Sequence, residues 1–585
     1  MRTDMRICLA ALLVACDARP LVVVSVAPLP SEAAELYASL SYRGKPALSP
    51  SPLRFDLTGA DLSQPATFGV RLDANTDGDL VVGAGILDPA GCLLAFGSGA
   101  TEKISKTPQL DVALGPASQD ELTPELRCQA PETTPLLLGV TPPIASSTGG
   151  TRVVIRGWGF GTTSCPHVNI NVVAATDILC PSLVELSATV PPSSQIGPVP
   201  LQVVNATGRY VTSARLFSYY AEQIRLGPPV SYPVGGAPSA MAAGLIDKNQ
   251  SPDLVVSSRD SDLVTVLLNG NSGRGDFPSG FASALVAGVR PSAVALGDVN
   301  SDGEMDILAV SAGDRQLSIF AQVQPGTVPA SFRSEEHVFV NLLPSAIALA
   351  DVDGDGALDA TVANQLSSDV SLLLNDGRGG FIKSAARDYA VPREPLSVVF
   401  ADLNQDGKPD LLVRSAATAT LTVLTNSGGG FSANRRSDTT FAAAPLSLAV
   451  GDIDGDGSPD AVVALADSSF HVLWNDRSGR LFEDRQSVVS LSGGGRASAL
   501  GLLDLDQDGS LDVVAASGSS RQLFVLRNTR VRRGIKGLEL LPDTYPAGPD
   551  PVAIATADFD RDGLPDVAVA DRSLAAVSIL FNQSK

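Results

Sequence analysis

The sequence predicts an all-β protein: a C-terminal seven-bladed β-propeller preceded by two small β-sandwich domains. Three observations lead there. Gly (54) and Pro (41) together make 95 of 585 residues while aromatics are only 5%, a balance that suits many short strands joined by tight turns. An acidic loop recurs from residue 247 onward with a period near 52 residues, which indicates a repeat architecture. Each period also holds four short apolar runs separated by turn residues, the pattern of one four-stranded propeller blade. At 585 residues the chain has room for about three to four domains. Lys+Arg 42 against Asp+Glu 63 gives −21, a field that repels nucleic-acid phosphate and anionic lipid. Three histidines, His167, His337 and His471, leave little material for general acid–base or zinc chemistry.

Taken in order, the chain opens on an address. Residues 1–15 carry Arg2 and Arg6 before an apolar run from Ile7 to Ala15, about as long as a signal-peptide core and too short to span a bilayer. The run ends Leu13-Val14-Ala15-Cys16, which resembles the bacterial lipobox, and Asp17-Ala18-Arg19-Pro20 breaks it at once. The resemblance implies lipidation of Cys16 and a lipid-anchored place in the bacterial cell envelope, at the outer membrane or cell surface or on a periplasmic face. No later stretch reaches the ~18 apolar residues of a membrane helix, so the membrane is reached through lipid alone. With Cys8 removed and Cys16 lipidated, four cysteines allow three pairings. Proximity within domains favours Cys92–Cys128 and Cys165–Cys180 in an oxidising compartment.

Residues 16–132 alternate apolar and polar positions, as in Phe68–Leu72 and Leu80–Ala84, and form the first expected sandwich. The cluster Asp73-Ala74-Asn75-Thr76-Asp77-Gly78 begins like a calcium loop but has Val81 at its ninth position, and is expected to be a hairpin turn. Residues 133–220 carry Gly139-Val140-Thr141-Pro142-Pro143, then Gly149-Gly150-Thr151 and Ile155-Arg156-Gly157-Trp158-Gly159-Phe160-Gly161. These resemble the immunoglobulin-like IPT/TIG domain, with Val199–Val204 and Ala214–Tyr219 as closing strands. Such domains contact DNA in transcription factors and resemble spacers in exported bacterial proteins. The acidic charge and the export signal favour a spacer. The glycines are no dinucleotide fingerprint, since no helix pattern follows them.

Residues 221–585 hold the repeat. Six complete loops begin at Asp298, Asp351, Asp402, Asp452, Asp504 and Asp558, each with Asp or Asn at positions 1, 3 and 5, Gly at 6 and Asp at 9. A degenerate first copy, Asp247 to Asp253, lacks the glycine and counts two residues short. In the first complete unit the strands are expected at Ser292–Gly297, Ile307–Val310 and Leu317–Phe320, before a glycine-rich hairpin and a fourth strand. Blade seven stops after its third strand at Phe581-Asn582, while Tyr232-Pro233-Val234-Gly235 parallels Tyr389-Ala390-Val391-Pro392. The segment Ile224–Val234 is therefore expected to supply the missing strand and close the ring, removing an exposed edge. These units resemble the FG-GAP/VCBS repeats of integrin α-subunits and bacterial surface proteins over about 360 residues.

The spacing has a chemical reason. A calcium-sized cation takes six to eight oxygens, and alternate side chains of a tight loop converge on one point. The expected ligands are Asp298, Asn300, Asp302 and Asp306; Asp351, Asp353, Asp355 and Asp359; Asp402, Asn404, Asp406 and Asp410; Asp452, Asp454, Asp456 and Asp460; Asp504, Asp506, Asp508 and Asp512; and Asp558, Asp560, Asp562 and Asp566. The carbonyl at position 7 can add an oxygen. That gives about six Ca²⁺ sites, the first copy being left empty. An EF-hand would need Glu at position 12, where Ala309 stands, and the lack of His and Cys disfavours zinc or copper.

Strand order puts every acidic loop on one face of the propeller, together with Arg274-Gly275-Asp276-Phe277, an RGD sequence that the hairpin consensus produces without an adhesive role. In the integrin family the opposite face binds ligand. Its candidates here are Arg259, Asp260, Asp314, Arg315, Gln365, Arg521, Asp571 and Arg572. The leading expectation is a non-catalytic, calcium-binding, lipid-anchored envelope protein whose propeller recognises a protein or polysaccharide, with no nucleic-acid partner. The alternatives are a polysaccharide lyase or hydrolase on a propeller scaffold and a structural component of an envelope complex. No catalytic residue is identified, and no G-x-S-x-G elbow is present.

Overall fold

The computed structural model describes residues 135–584 apart from short segments at 159, 161–164, 181–184, 207, 248, 271, 278–282, 324–330, 492–494 and 529–537, and the backbone of nine strands between residues 21 and 116. The export signal, Cys16, the Cys92–Cys128 pair and the cluster Asp73–Gly78 lie outside the described residues. Among the described residues there is no helix, and so none long and apolar enough to cross a membrane. The chain divides into two compact units, built essentially on residues 1–223 and 224–584.

In the first unit, Leu21–Ala27 lies between Ala66–Arg71 and Gln109–Ala113, while Glu35–Tyr42, Leu80–Leu87 and Leu93–Thr101 form the spine of a second sheet. One expectation is corrected here. The strands either side of Asp73–Gly78 belong to different sheets, so that sequence joins two sheets rather than the arms of a hairpin. A Gly/Asn/Asp cluster specifies a change of direction and does not say which strand the chain pairs with next.

From residue 135 two further sheets face each other. One orders Leu136–Thr141, Arg152–Trp158, Glu185–Thr189 and Thr176–Leu179; the other orders Ile144–Ser146, Tyr210–Tyr220, Gly197–Val204, His167–Ile170 and Val173–Ala174. Period-two patterning sends Val153, Ile155, Leu186, Leu201, Val203 and Phe217 into a common core. Tyr219 is also fully buried, and its hydroxyl donates to the Pro191 carbonyl at 2.7 Å. Gly149 fits its turn because a Cβ there would stand 2.6 Å from the Pro192 nitrogen. Cys165 and Cys180 are joined by a disulfide with Cα atoms 5.6 Å apart.

The second unit is a ring of seven four-stranded antiparallel sheets, a β-propeller. The second blade shows the pattern: Pro291–Gly297, Asp306–Ser311, Gln316–Val323 and Ser331–Phe339, from the ring's interior outward. Every residue of the second strand is buried in all seven blades, because neighbouring sheets cover both of its faces. The seventh blade is composite. Val230–Pro233 pairs antiparallel with Ala576–Leu580, and Leu226 bridges Asn582, so both ends of the ring segment share one sheet.

Two sets of hydrogen bonds link neighbouring blades, the first in five seams and the second in all seven. On the inner strands, the hydroxyls of Ser239, Ser292 and Ser345 each donate 2.7 Å to the proline carbonyl that opens the next blade, at Pro291, Pro344 and Pro395; Ser498 does so to Pro551 at 2.5 Å. In the fourth blade Leu396 replaces the serine, and the Arg414 guanidinium reaches Pro445 O instead, at 2.8 Å. The second set involves the acidic loops.

Candidate metal centres and the opposite face

Each loop leaves an inner strand and enters the buried second strand at its position 9, so that aspartate is drawn into the interior. Asp306 is fully buried; its Oδ2 accepts the Val299 N–H at 3.0 Å and its Oδ1 accepts the Gln322 N–H at 2.9 Å. The same pair of bonds recurs at Asp253, Asp359, Asp410, Asp460, Asp512 and Asp566. The residue whose N–H reaches Oδ1 is Asn269, Asn375, Asn426, Asn475, Asn528 or Asn582, with Gln322 in the second blade. Its side-chain amide then crosses to the preceding blade and donates to the carbonyl at loop position 2, as Asn375 does to Val299 O at 2.7 Å and Asn582 to Leu505 O at 2.8 Å. All seven seams carry this bond. The acidic loops are thus part of the joint between blades.

Positions 1, 3 and 5 face the loop interior. Asp298 Oδ2 accepts the Gly303 N–H at 2.8 Å, and Asp302 Oδ1 accepts the Glu304 N–H at 2.9 Å. The glycine at position 6 holds φ between 81° and 93° in all six complete loops, a conformation that costs a side-chain-bearing residue about 1 kcal/mol or more. No heavy atom lies within 4 Å of a Cβ built at five of these glycines, Gly303, Gly356, Gly407, Gly509 and Gly563, so backbone conformation and not space selects glycine there.

Ligand oxygens of three carboxylates come within 4.8 Å of one another in four loops. They are Asp351, Asp353 and Asp355; Asp452, Asp454 and Asp460; Asp504, Asp506 and Asp512; and Asp558, Asp560 and Asp562. Among the described residues no three carboxylates meet in this way in the loops of Asp298 and Asp402, whose third positions are the amides Asn300 and Asn404. The electrostatics agree with a cation-seeking site. Burial first, then neighbouring carboxylates, pushes Asp306 and Asp410 up to about 6 and Asp460 and Asp566 up to about 7, against the N–H bonds that favour the anion. Burial and Asp562 raise Asp560 to about 6. These all-oxygen donor sets fit a hard divalent cation, which would reverse each of these shifts.

The first copy requires a second correction. Ile246 N–H donates to Asp253 seven residues on, as Val299 does to Asp306, and Gly244 pairs with Asp253 as Gly297 does with Asp306. The loop is therefore of full length. Leu245 occupies position 1, Asp247 position 3, Asn249 position 5 and Gln250 the glycine position, with φ 69°. The apparent shortening came from aligning the first acidic residue with position 1. Here Asn249 Nδ2 donates to Asp247 Oδ2 at 3.0 Å, so an amide N–H lies on the carboxylate where a cation would otherwise sit.

The second strands deliver their ends to the opposite face. Arg315 and Arg521 are exposed there at turn positions with φ 59°, and Asp260 is exposed beside Arg259, whose Nε is buried without a partner. Gln365 is half-buried and holds the Leu343 carbonyl through its backbone N–H. Arg572 is exposed and pairs with Asp550 at 3.3 Å. Asp571 is not a surface ligand group, which is a third correction. It is 1% exposed and accepts the N–H groups of Asp550 and Leu574 at 2.7 and 2.8 Å. Asp314 likewise braces a turn, accepting the Val289 N–H at 2.9 Å. On the loop face, the RGD hairpin is held from below: Phe277 is buried against Tyr232 and Phe559, and Gly275 lies against Phe581.

One arrangement invisible in the sequence resembles a catalytic relay. Ser469 Oγ lies 3.0 Å from His471 Nε2, and His471 Nδ1 lies 2.5 Å from Glu483 Oε1. The serine proton, however, goes to Asp467 Oδ1 at 2.6 Å, so the imidazole donates to Oγ instead of withdrawing its proton. The four residues tie the third and fourth strands of their blade together.

With this geometry in place, comparison with known families is decisive. The chain carries FG-GAP-like repeats and an IPT/TIG domain. The FG-GAP-like repeat model matches residues 246–309, 351–413, 452–515 and 504–569, and the IPT/TIG model matches residues 135–219. No curated protein sequence matches the chain. Among solved structures it is similar to an auxiliary nutrient binding protein from Bacteroides ovatus (12% identity, TM-score 0.37, 77% of this chain and 99% of that one). It is also similar to Saccharomyces cerevisiae Sqt1 (12% identity, TM-score 0.40, 61% and 99%) and to BBS1N crystallised with ARL6DN (12%, 0.42, 60% and 97%).

Proposed function

We propose that this protein is a non-catalytic recognition module of the bacterial cell envelope, anchored through lipid on Cys16, with a calcium-stiffened propeller that binds a protein or polysaccharide on the face away from the acidic loops. The observation that carries the reading is the placement of the loops in the seams. A cation at positions 1, 3 and 5 would fix the loop whose position-2 carbonyl receives the next blade's amide, so ion binding would stiffen the blade-to-blade joint. Stiffening one face leaves the turns of the other as recognition loops on a rigid scaffold. FG-GAP-like repeats fit a binding module, and the proton arrangement at Ser469 supports a non-catalytic role.

The test uses residues 17–585, labelled and applied to polysaccharides and bacterial envelope fractions, with calcium and with chelator. Saturable binding that is lost when Arg315 and Arg521 are changed to alanine in a folded variant supports the reading. Binding unaffected by the opposite-face turns, or hydrolysis or elimination of a polysaccharide in the panel, overturns it. Radiolabelled palmitate incorporation lost in Cys16→Ala tests the anchor separately.

A further inference from the structure

The fourth blade holds a buried cation in its second strand, where no other blade has one. Arg414 stands one residue before the end of its second strand, near the opposite face, where the corresponding residues are Ser257, Val310, Ala363, Ala464, Ala516 and Ala570. Its side chain is 9% exposed, and burial alone lowers its pKa to about 10, which leaves it charged at neutral pH. Its one hydrogen bond among the described residues is Nη1 to Pro445 O at 2.8 Å, and no carboxylate pairs with it. Nε is buried without a partner, and so is the Ser447 hydroxyl two residues beyond Pro445 on the same strand.

A seam clasp does not explain this residue. Serine on the inner strand makes the same bond to the next proline carbonyl in four other seams without burying a charge. Burying an unpaired guanidinium is unfavourable unless a counter-charge completes it. With Nη1 engaged and Nε buried, Nη2 is the donor left for a carboxylate, held in place by the planar guanidinium. We infer that Arg414, at the opposite-face end of the seam between the fourth and fifth blades, is the receiving group for a ligand carboxylate, with Nη1 fixed on Pro445 O and Nη2 the donor that meets the carboxylate. The inference rests on the recognition reading for its biological use and names the chemical class of ligand that this face takes.

The experiment separates the clasp from the binding site. Arg414→Gln combined with Leu396→Ser removes the guanidinium and supplies the serine that four other seams use. Calorimetric titration with glucuronate, N-acetylaspartate and neutral glucose is run on the natural protein and on this double variant, alongside melting curves. The expected result is carboxylate binding to the natural protein, no glucose binding, and at least about tenfold weaker carboxylate binding in a double variant that melts no lower. Preference for glucuronate or for N-acetylaspartate tells whether a sugar or a peptide carries the group. Equal carboxylate binding by both proteins, or none by the natural protein, overturns the inference. If envelope fractions bind through Arg315 and Arg521 while carboxylates ignore Arg414, the site fails and the recognition reading stands. If carboxylates bind at Arg414 but no macromolecule binds, the reverse holds.

Discussion

The loop of the first blade and the loops of the other six are the same length and serve the same joint, yet they differ at the positions that matter for a cation. Both keep the buried aspartate at position 9, with Asp253 bonded to Ile246 and Asn269 as Asp306 is to Val299 and Gln322. Only the six keep a carboxylate at position 1 and glycine at position 6; the first has Leu245 and Gln250. What the first loop shares with the six is architecture, and what it lacks is the full set of acidic positions. The aspartate at position 9 therefore has a role that does not depend on any ion.

Removing calcium should give the largest effect. Each site occupied at a free calcium concentration a hundred times its Kd adds about 2.7 kcal/mol, so chelation should lower the melting temperature by many degrees. Elemental analysis after dialysis should find about six ions per chain. A melting curve indifferent to chelator would remove the distinction between the two kinds of loop.

Next in size is the clasp. Asp253→Ala strands two buried N–H groups and should cost about 3 kcal/mol, with or without calcium. Asp306→Ala should cost as much in chelator and more in calcium, because it also damages a site. Chemical unfolding in both buffers measures the pair, and a neutral Asp253→Ala would dismiss the architectural role.

Rebuilding the first loop sharpens the comparison further. Leu245→Asp with Gln250→Gly should raise the bound ions by one and add about 1 kcal/mol by relieving the left-handed glutamine. Elemental analysis showing no extra ion would mean that Asn249 and Asp247 close the loop by themselves.

The smallest effect concerns pH. In chelator, the buried aspartates hold protons that the unfolded chain, near 3.8, has released; burial puts Asp253 at about 7, like Asp460 and Asp566. This contribution to stability is complete below about pH 4 and is lost as pH rises through 7. Calcium should invert the slope for the six loops, since protons then compete with the ion. In Asp253→Asn the chelated protein should lose part of its slope, read from melting curves between pH 4 and 8.

The repeat was legible because its residues carry chemistry at a fixed spacing, and ring closure followed from Tyr232-Pro233-Val234-Gly235 matching a fourth strand elsewhere. The asparagine column is equally regular, an amide about 16 residues beyond each position-9 aspartate, but it carries no signal of its role, since asparagine at a strand end looks like an ordinary turn residue. Leu245 misled for a physical reason: a loop is aligned by its acids, and when the first acid is gone the next one takes its place in the count. Asp571 was misjudged because sequence shows a charged residue in a turn and cannot show that its oxygens are taken by Asp550 and Leu574. Arg414 sat in an apolar strand whose pattern of burial gave no warning of a cation.

The pairing of Val230–Pro233 with Ala576–Leu580 also sets a timetable. The strand that completes the seventh sheet leaves the ribosome about 350 residues ahead of the strand it must meet. Six blades can assemble while it waits, and the circle can lock only when the last one arrives. Until then the chain presents an open rim, which makes the arrival of Ala576–Leu580 the step at which the propeller becomes resistant to proteases.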